Sequence, residues 1–466
     1  MEIKCVKNAP DVPIVKLFVY NNGFYLYDTY TNYLLKVSKE HYRELCRLLK
    51  VGLAEYLNTS KNDGIQGDIV LLIHKGMLRS NFVNTIEHPL VPFVPQLVDG
   101  CMNEMIFQIT QNCNFNCRYC SFATDSGFSR VHNKVDMTWE TAQKAIDYLY
   151  EHSYNSREIS IYFYGGEPLL NFPLIKRIVI YSEKAFNVKK VKFSMTSNAS
   201  VMNEEMMHFF IEHDFHIAIS FDGDKEIQNK HRKFGASGNG TFDIVNENVK
   251  KIKSENENYF NKRISVMPVI FDDENYSEVQ NFFHSIGINN ITSLNVNLRG
   301  IDYRTGALYR QINKDWEESN RVNGINDTSK KYEEIYNDKS KICSSWHHDG
   351  PCVAGVHRLF VDVNGNFYPC EKVSENKILS IGNVADGIDK NKVIEFLNIG
   401  ILSEVNCKSC WAMRFCNLCI DQCVDCETEK LSSKIKHMYC DVQKSNLLTF
   451  FKSMIDKNNS DGDNNI

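Results

Sequence analysis

At 466 residues, 43% of them hydrophobic and 24% charged, the chain has more length than one core organises and enough apolar material to fold, so two or three domains are expected. The formal net charge of -5 at pH 7, with acidic and basic residues interspersed, gives no long-range attraction for nucleic acid or an anionic membrane, and both are disfavoured as partners. The N-terminus has no basic start, continuous apolar segment or small-residue cleavage site, and no later stretch reaches membrane-spanning length, so a cytoplasmic location is expected.

Along residues 1–88, the run LFVYNNGFYLYDTYTNYLLKVSKEHYRELCRLLK predicts a β-hairpin turning near Asn21 to Gly23 and a helix over residues 38–50, with a further short helix and strand up to about residue 86. Together these make a small α+β domain. Prolines recur in HPLVPFVP, residues 88–95, which favours an extended connection within a linker over 89–104. From residue 105 to 312 apolar strands alternate with amphipathic helices: MIFQIT, ISIYFY, KFSMTS, HIAISFD, RISVMPVI and ITSLNVNL. Helices are expected between them, for example over 138–153 and 174–186. Six such repeats predict parallel strands joined by right-handed crossovers, an α/β fold of the incomplete (β/α)6 barrel kind with its chemistry at the strands' C-terminal ends. A polar, partly helical connection follows over 313–342, then a cysteine-rich domain over 343–450 expected to depend on inorganic centres for stability, and a disordered tail over 451–466.

Sixteen cysteines in a reducing compartment need a purpose other than disulfides. Three of them, Cys113, Cys117 and Cys120, have C-x3-C-x2-C spacing in QITQNCNFNCRYCSF, directly after a predicted strand. Three thiolates leave one iron of a cubane cluster open to a small chelating cofactor; a zinc site with a distant fourth ligand is the competing reading. The next strand ends in YFYGGEP, where Gly165 and Gly166 permit close backbone approach and Glu167 offers a carboxylate.

These motifs resemble the radical S-adenosylmethionine (SAM) superfamily. The resemblance implies a 4Fe-4S cluster on Cys113, Cys117 and Cys120, with Tyr119 near the adenine and Gly165, Gly166 and Glu167 at the methionine ammonium. It implies further cofactor contacts to ribose and carboxylate from Ser197, Asn198, Ser220, Asp222 and Arg232. Each of those five polar residues taken alone reads equally well as a turn or cap.

Downstream, Cys352, Gly365 and Cys370 precede CKSCWAMRFCNLC, with Cys407, Cys410, Cys416 and Cys419, and Cys440 follows. This resembles the SPASM domain, the auxiliary-cluster extension of peptide and sulfatase maturases. The resemblance assigns Cys343, Cys352, Cys370 and Cys419 to one auxiliary 4Fe-4S cluster and Cys407, Cys410, Cys416 and Cys440 to another, three clusters in all. CNLC has two intervening residues where the family has three, Cys423 and Cys426 are extra and either substitutes for Cys419, and the place of Cys343 is open; zinc ribbons are the competing reading. Cys5, Cys46 and Cys101 stand alone as inert thiols, and His347 and His348 are expected to be loop residues. Glu371 follows Cys370 as a candidate base, or as solvated surface.

Residues 100–445 resemble maturases of cysteine-rich ribosomal peptides of the thioether-forming, sactipeptide or ranthipeptide type. The N-terminal domain resembles the winged-helix-like precursor-recognition domains of such maturases, and its exposed strand edge suits an added leader strand; a structural cap or dimerisation module is the alternative. The resemblance implies a radical SAM enzyme that closes Cys thioether crosslinks in a cysteine-rich precursor peptide, with a low-potential flavodoxin or ferredoxin as electron donor. An anaerobic sulfatase-type formylglycine maturase and a non-catalytic iron-sulfur or zinc regulator are the other readings.

Overall fold

The computed structural model describes residues 11–61, 63–118, 120, 132–270, 276–291, 295–296, 327–425 and 428–460. The N-terminal hairpin is β1 (Val15–Tyr20) and β2 (Gly23–Asp28). Asn21 and Asn22 form its two-residue turn with φ of 45° and 61°, a left-handed conformation that asparagine tolerates and tight hairpins require. A third strand not anticipated from the sequence, β3 (Tyr33–Val37), pairs antiparallel with β2. Helices Lys39–Val51, Leu53–Thr59 and Gly64–His74 follow, and Leu45, Leu48, Tyr56 and Ile69 pack with Leu26 of β2 on one face of the sheet. A short strand, β4 (Thr85–Ile86), ends the module.

Residues 88–95 are not the extended connection expected from their prolines. A single 3-10 turn, Val91–Phe93, runs into a helix, Val94–Gly100. Pro92 and Pro95 each fall in a first turn, where the missing N–H has no partner to lose and the fixed φ favours the helix.

The barrel strands are β5 (Glu104–Thr110), β7 (Glu158–Gly165), β8 (Lys190–Ser197), β9 (His216–Ile219) and β11 (Ile264–Val266), all parallel and ordered β11-β9-β8-β7-β5. Two further short strands, β6 (Phe115–Cys117) and β10 (Arg232–Phe234), form a separate ribbon. Along β7 the side chains alternate between fully and partly buried: Ile159, Ile161 and Phe163 enter the core, while Ser160, Tyr162 and Tyr164 lie on the opposite face of the sheet. Helices Trp139–Glu151 and Phe172–Ala185 lie in the intervals where helices were expected. The expected strand over 263–270 breaks into β11 and β12 (Val269–Ile270) around Pro268, which cannot donate to a ladder. Of the sixth expected strand, Ile291 bridges Val266 and β13 (Asn295–Val296) pairs with β12, both parallel; the rest lies outside the described residues, as does most of the 313–342 connection before helix Asp327–Asn337.

The cysteine-rich region is not an appended module. Its β14 (Ser345–Trp346) pairs with β4, and β15 (Leu359–Val361) adds in parallel to the free side of β5. Through β16 (Asn366–Tyr368), β17 (Gly382–Asn383) and β18 (Gly387–Ile388) it extends the barrel sheet to nine strands. Leu359, Phe360, Val361 and Phe367 belong to the barrel's own core, so the region has more apolar support than its sequence suggests.

The expected disordered tail is a helix as far as Ser460, the end of a 28-residue element, Ser433–Ser460; residues 461–466 lie outside the described set. Leu447, Phe450, Phe451 and Ile455 recur at helical spacing and pack on the other face of the N-terminal sheet, against Phe18 and Tyr27, and on Phe415. Ring centroids of Phe451 and Tyr27 are 4.7 Å apart. Phe451→Ala is therefore expected to cost about 3–5 kcal/mol, measured by denaturant unfolding, whereas truncation after Ser460 should leave the transition unchanged.

Candidate active site

Thr110 ends β5, and the loop that follows carries Cys113, Cys117 and Cys120. Three sets of contacts fix it. The β6–β10 ribbon pairs Cys117 with Arg232 and Phe115 with Phe234, whose rings meet edge-on at 5.2 Å. The Asn114 and Asn198 side chains meet at 2.9 Å, and Asn114 Nδ2 donates to Ser200 Oγ at 2.8 Å, tying the loop to the end of β8. Gly166 and Glu167 N–H groups donate to the Thr110 and Asn112 carbonyls at 2.9 and 2.8 Å. A Cβ on Gly165 or Gly166 would collide with those same carbonyls, and Gly165 has φ of 138°. The glycines thus serve the approach of β7 to the cysteine loop, a role the sequence reading gave to contact with a cofactor.

Burial pushes the Cys113 thiol up to about 12 and that of Cys117 up to about 11, the latter opposed by the Arg232 charge. Arg232 is buried, and its Nε and Nη2 donate to the two Asp222 oxygens at 2.9 and 3.0 Å. Its Nη1 faces Cys117 Sγ at 3.9 Å. Asp222 also accepts the Val269 N–H at 2.9 Å. The pair expected at a cofactor's ribose and carboxylate is thus engaged within the protein, beside a thiol. His132, which the sequence gave no reason to single out, places Nε2 3.4 Å from Cys120 Sγ and Nδ1 3.2 Å from the Gln111 carbonyl. Asn114 was equally missed, although it lies within the C-x3-C-x2-C motif. Tyr119 lies outside the described residues.

Glu167 is 1% exposed and accepts from Ser197 Oγ, Asn198 N and Leu169 N at 2.7, 2.7 and 3.1 Å. Ser220 sits at the end of β9, partly exposed, its N–H on the Ser197 carbonyl at 2.8 Å. Ser197, Asn198, Ser220 and Glu167 therefore converge at neighbouring strand ends above the cysteine loop.

The C-terminal thiols fall into two sets. Burial pushes Cys419 up to about 12 and Cys370 up to about 11, with the charge of Cys352 adding to both and that of Cys370 to Cys419. Burial likewise pushes Cys416 up to about 12, with Cys410, Cys407 and Cys440 adding. Cys423 is buried between the sets and donates to the Cys419 carbonyl at 3.6 Å. Cys343 is exposed and is not among the thiols acting on Cys419 or Cys370; Cys5 and Cys426 lie outside the described residues, and Cys46 and Cys101 are partly buried. His347 and His348 are loop residues, but both are buried. Among the described residues no three His, Cys, Asp or Glu side chains are drawn closely enough together to hold a single metal ion.

Glu371 pairs with Arg358 Nη1 at 3.2 Å, and Arg358 Nε donates to Glu104 at 2.7 Å. Glu104 begins β5, about 20 Å by strand rise from the end that carries the cysteine loop. Gln108 Nε2 donates to Glu375 at 2.6 Å, which fastens the segment after Cys370 across the same strand.

Residues 107–286 match the family model of the Radical SAM superfamily. The barrel is a radical SAM domain. Such a domain implies a 4Fe-4S cluster and SAM, and three thiols carried by one loop, two of them with their ionisation opposed by burial, are the donor set a cubane takes. A 127-residue stretch is 38% identical to an uncharacterized protein of Methanocaldococcus jannaschii, of which it spans 41%. Longer matches run to the radical SAM cyclopropyl synthase TigE of Paramaledivibacter caminithermalis, 24% identical over 86% of this chain and 87% of that one, and to the cysteine-type anaerobic sulfatase-maturating enzyme of Clostridium perfringens, 25% identical over 73% of this chain and 94% of that one. The solved structure of native anSMEcpe with bound AdoMet shares the fold, with a TM-score of 0.57 and 20% identity over 77% of this chain and 99% of that one. No helix among the described residues is long and apolar enough to cross a membrane.

Burial raises the Glu167 carboxyl from 4.5 to about 7, outweighing its three hydrogen bonds. Between those values the folded chain keeps a proton that the unfolded chain has lost, so stability falls as pH rises through the window, by about 3 kcal/mol in total, and is flat above it. Unfolding titrations at fixed cluster content on either side of the window should show this fall in the wild type and not in Glu167→Gln.

Proposed function

We propose that this chain is a peptide maturase that uses radical SAM chemistry to close Cys thioether crosslinks in a ribosomally made, cysteine-rich precursor. The observation that carries the reading is the combination of one three-thiol loop at the strand ends with two further thiol sets and an N-terminal sheet packed against the second of them. Cys113, Cys117 and Cys120 would hold the radical-generating 4Fe-4S cluster; Cys352, Cys370 and Cys419, with Cys343 as the remaining candidate, and Cys407, Cys410, Cys416 and Cys440 would hold two auxiliary clusters. A cluster and SAM held there would supply radical chemistry able to remove a hydrogen from a precursor carbon. Within the chain, Glu167, Ser197, Asn198 and Ser220 orient the cofactor, Asp222 and Arg232 set the loop that carries the first thiols, and Glu371, held by Arg358, is the candidate acceptor of the substrate thiol proton. A low-potential flavodoxin or ferredoxin would supply electrons, and the reaction would take place in the cytoplasm.

The N-terminal module supports a peptide substrate. Its sheet is covered on one face by its own helices and on the other by the C-terminal helix, and in the described residues β1 and β3 each pair with β2 alone. An extended leader therefore has the strand edges to add to. Coexpression with the precursor should give a peptide lighter by two hydrogens per crosslink; an unchanged mass in anaerobic, cluster-loaded preparations overturns the assignment. Hydrogen exchange on the intact enzyme should show leader-dependent protection within 15–20 or 33–37, and protection confined to other segments contradicts strand addition.

The second reading is a formylglycine maturase, favoured by the match over 94% of the sulfatase-maturating enzyme. The corresponding fold covers 77% of this chain, leaving roughly a quarter unmatched, comparable in size to the N-terminal module. A maturase acting on a folded protein's recognition motif has no need of that module. Conversion of a cysteine or serine in a leaderless substrate would favour this second reading.

A further inference from the structure

Lys436, in the C-terminal helix, is 1% exposed. Its Nζ donates to the Ile399 carbonyl at 2.9 Å, to Ser403 Oγ at 2.8 Å and to Cys407 Sγ at 3.4 Å, and none of the three is a carboxylate. Two neutral acceptors solvate a buried ammonium without neutralising it, and an unneutralised buried charge is costly. The histidines nearby offer no negative charge. His347 Nε2 accepts the Gly400 N–H at 2.7 Å, and burial holds both imidazoles neutral. Among the described residues, the groups here that become anionic when they take up a metal group are thiols: Cys407, bonded also to Ser403 at 3.4 Å, and Cys440, one turn along the helix, whose Sγ donates to the Lys436 carbonyl at 3.5 Å.

We infer that Lys436 is the resident counter-charge of the group held by Cys407, Cys410, Cys416 and Cys440 and raises that group's reduction potential above the potential it would have with a neutral residue in this place. The inference rests on the proposed reading of those four thiols as ligands. A cubane with four thiolates is an anion whose negative charge grows by one on one-electron reduction, so a fixed ammonium at N–H···S distance stabilises the reduced state more than the oxidised one. Among the described residues the other set has no such surplus: Lys331, whose charge acts on Cys352, is paired with Asp349 at 2.6 Å. Arg358 beside that set is already met by two carboxylates, Glu104 and Glu371. An electron released when a crosslink closes would then settle on the Lys436 side, away from the Glu371 side.

Lys436 acts here as a positioning residue, so the test reads potential and iron, not turnover. The full chain is reconstituted anaerobically with Cys113, Cys117 and Cys120 changed to alanine, leaving the auxiliary centres alone, and titrated by EPR-monitored reduction with Lys436, Lys436→Met and Lys436→Arg. With iron content equal, Lys436→Met should lower one midpoint by at least about 59 mV, a tenfold change in the one-electron equilibrium, and leave the other in place, while Lys436→Arg holds both. Two unchanged midpoints in an iron-replete Lys436→Met protein overturn the inference. If Lys436→Met loses about four irons, recovery in Lys436→Arg supports the counter-charge, and equal loss in both overturns it. Fewer than about eight irons before any change at Lys436 would instead overturn the auxiliary-cluster reading, and this inference with it.

Discussion

The buried ion pair between Asp222 and Arg232 is the constraint from which the site is built. Asp222 ends the β9 segment and caps Val269 beyond β11, while Arg232 opens β10 and, through the ribbon with β6, lies opposite Cys117. One pair therefore fixes the cysteine loop to two neighbouring barrel strands. Asn114, reaching Asn198 and Ser200, supplies the attachment to a third, and the glycines after β7 supply a fourth. A loop held from four strands keeps three thiols in place against the cost of desolvating them.

Burial holds the thiols of Cys113, Cys117, Cys370, Cys416 and Cys419 protonated in the free protein, and assembly of a metal group must displace those protons. The positive charges nearby are distributed to meet that demand. Arg232 stands beside Cys117, Arg358 near Cys352 and Cys370, and Lys436 against Cys407. Among the described residues Arg232 pairs with Asp222, Arg358 with Glu104 and Glu371, and the contacts of Lys436 are a carbonyl, a hydroxyl and a thiol. The N-terminal module is part of the same construction, because Arg414, within the CKSCWAMRFC loop, donates to the Thr29 and Tyr30 carbonyls at 2.9 and 3.0 Å, and Thr29 Oγ1 donates to the Trp411 carbonyl at 3.0 Å. Whatever binds the sheet edge is mechanically joined to the loop that carries the second set of thiols.

Much of this was legible in the sequence, where it depends on local periodicity. Apolar runs of strand length separated by amphipathic helices gave the barrel, and the C-x3-C-x2-C spacing with GGEP marked the site. Features set by long-range contacts were hidden. β3 reads as the approach to a helix, the prolines at 92 and 95 read as breaks because nothing local shows that they begin helices, and the polar end of the chain masks the apolar stripe from Leu447 to Ile455. Arg232 reads as a ligand for a carboxylate, and in the structure its Nε and Nη2 donate to Asp222, a contact that local sequence does not reveal. Among the later cysteines, Cys352 and Cys370 act on Cys419, and Cys407, Cys410 and Cys440 act on Cys416, while Cys343 is exposed.

The central claim is that three thiol sets hold iron-sulfur clusters, and its most direct test is iron, sulfide and zinc per chain after anaerobic reconstitution, in the wild type and in the Cys113, Cys117 and Cys120 triple alanine variant. The account predicts about twelve irons with matching sulfide, falling by about four in the variant. Stoichiometric zinc with little iron would contradict it and leave a structural metalloprotein.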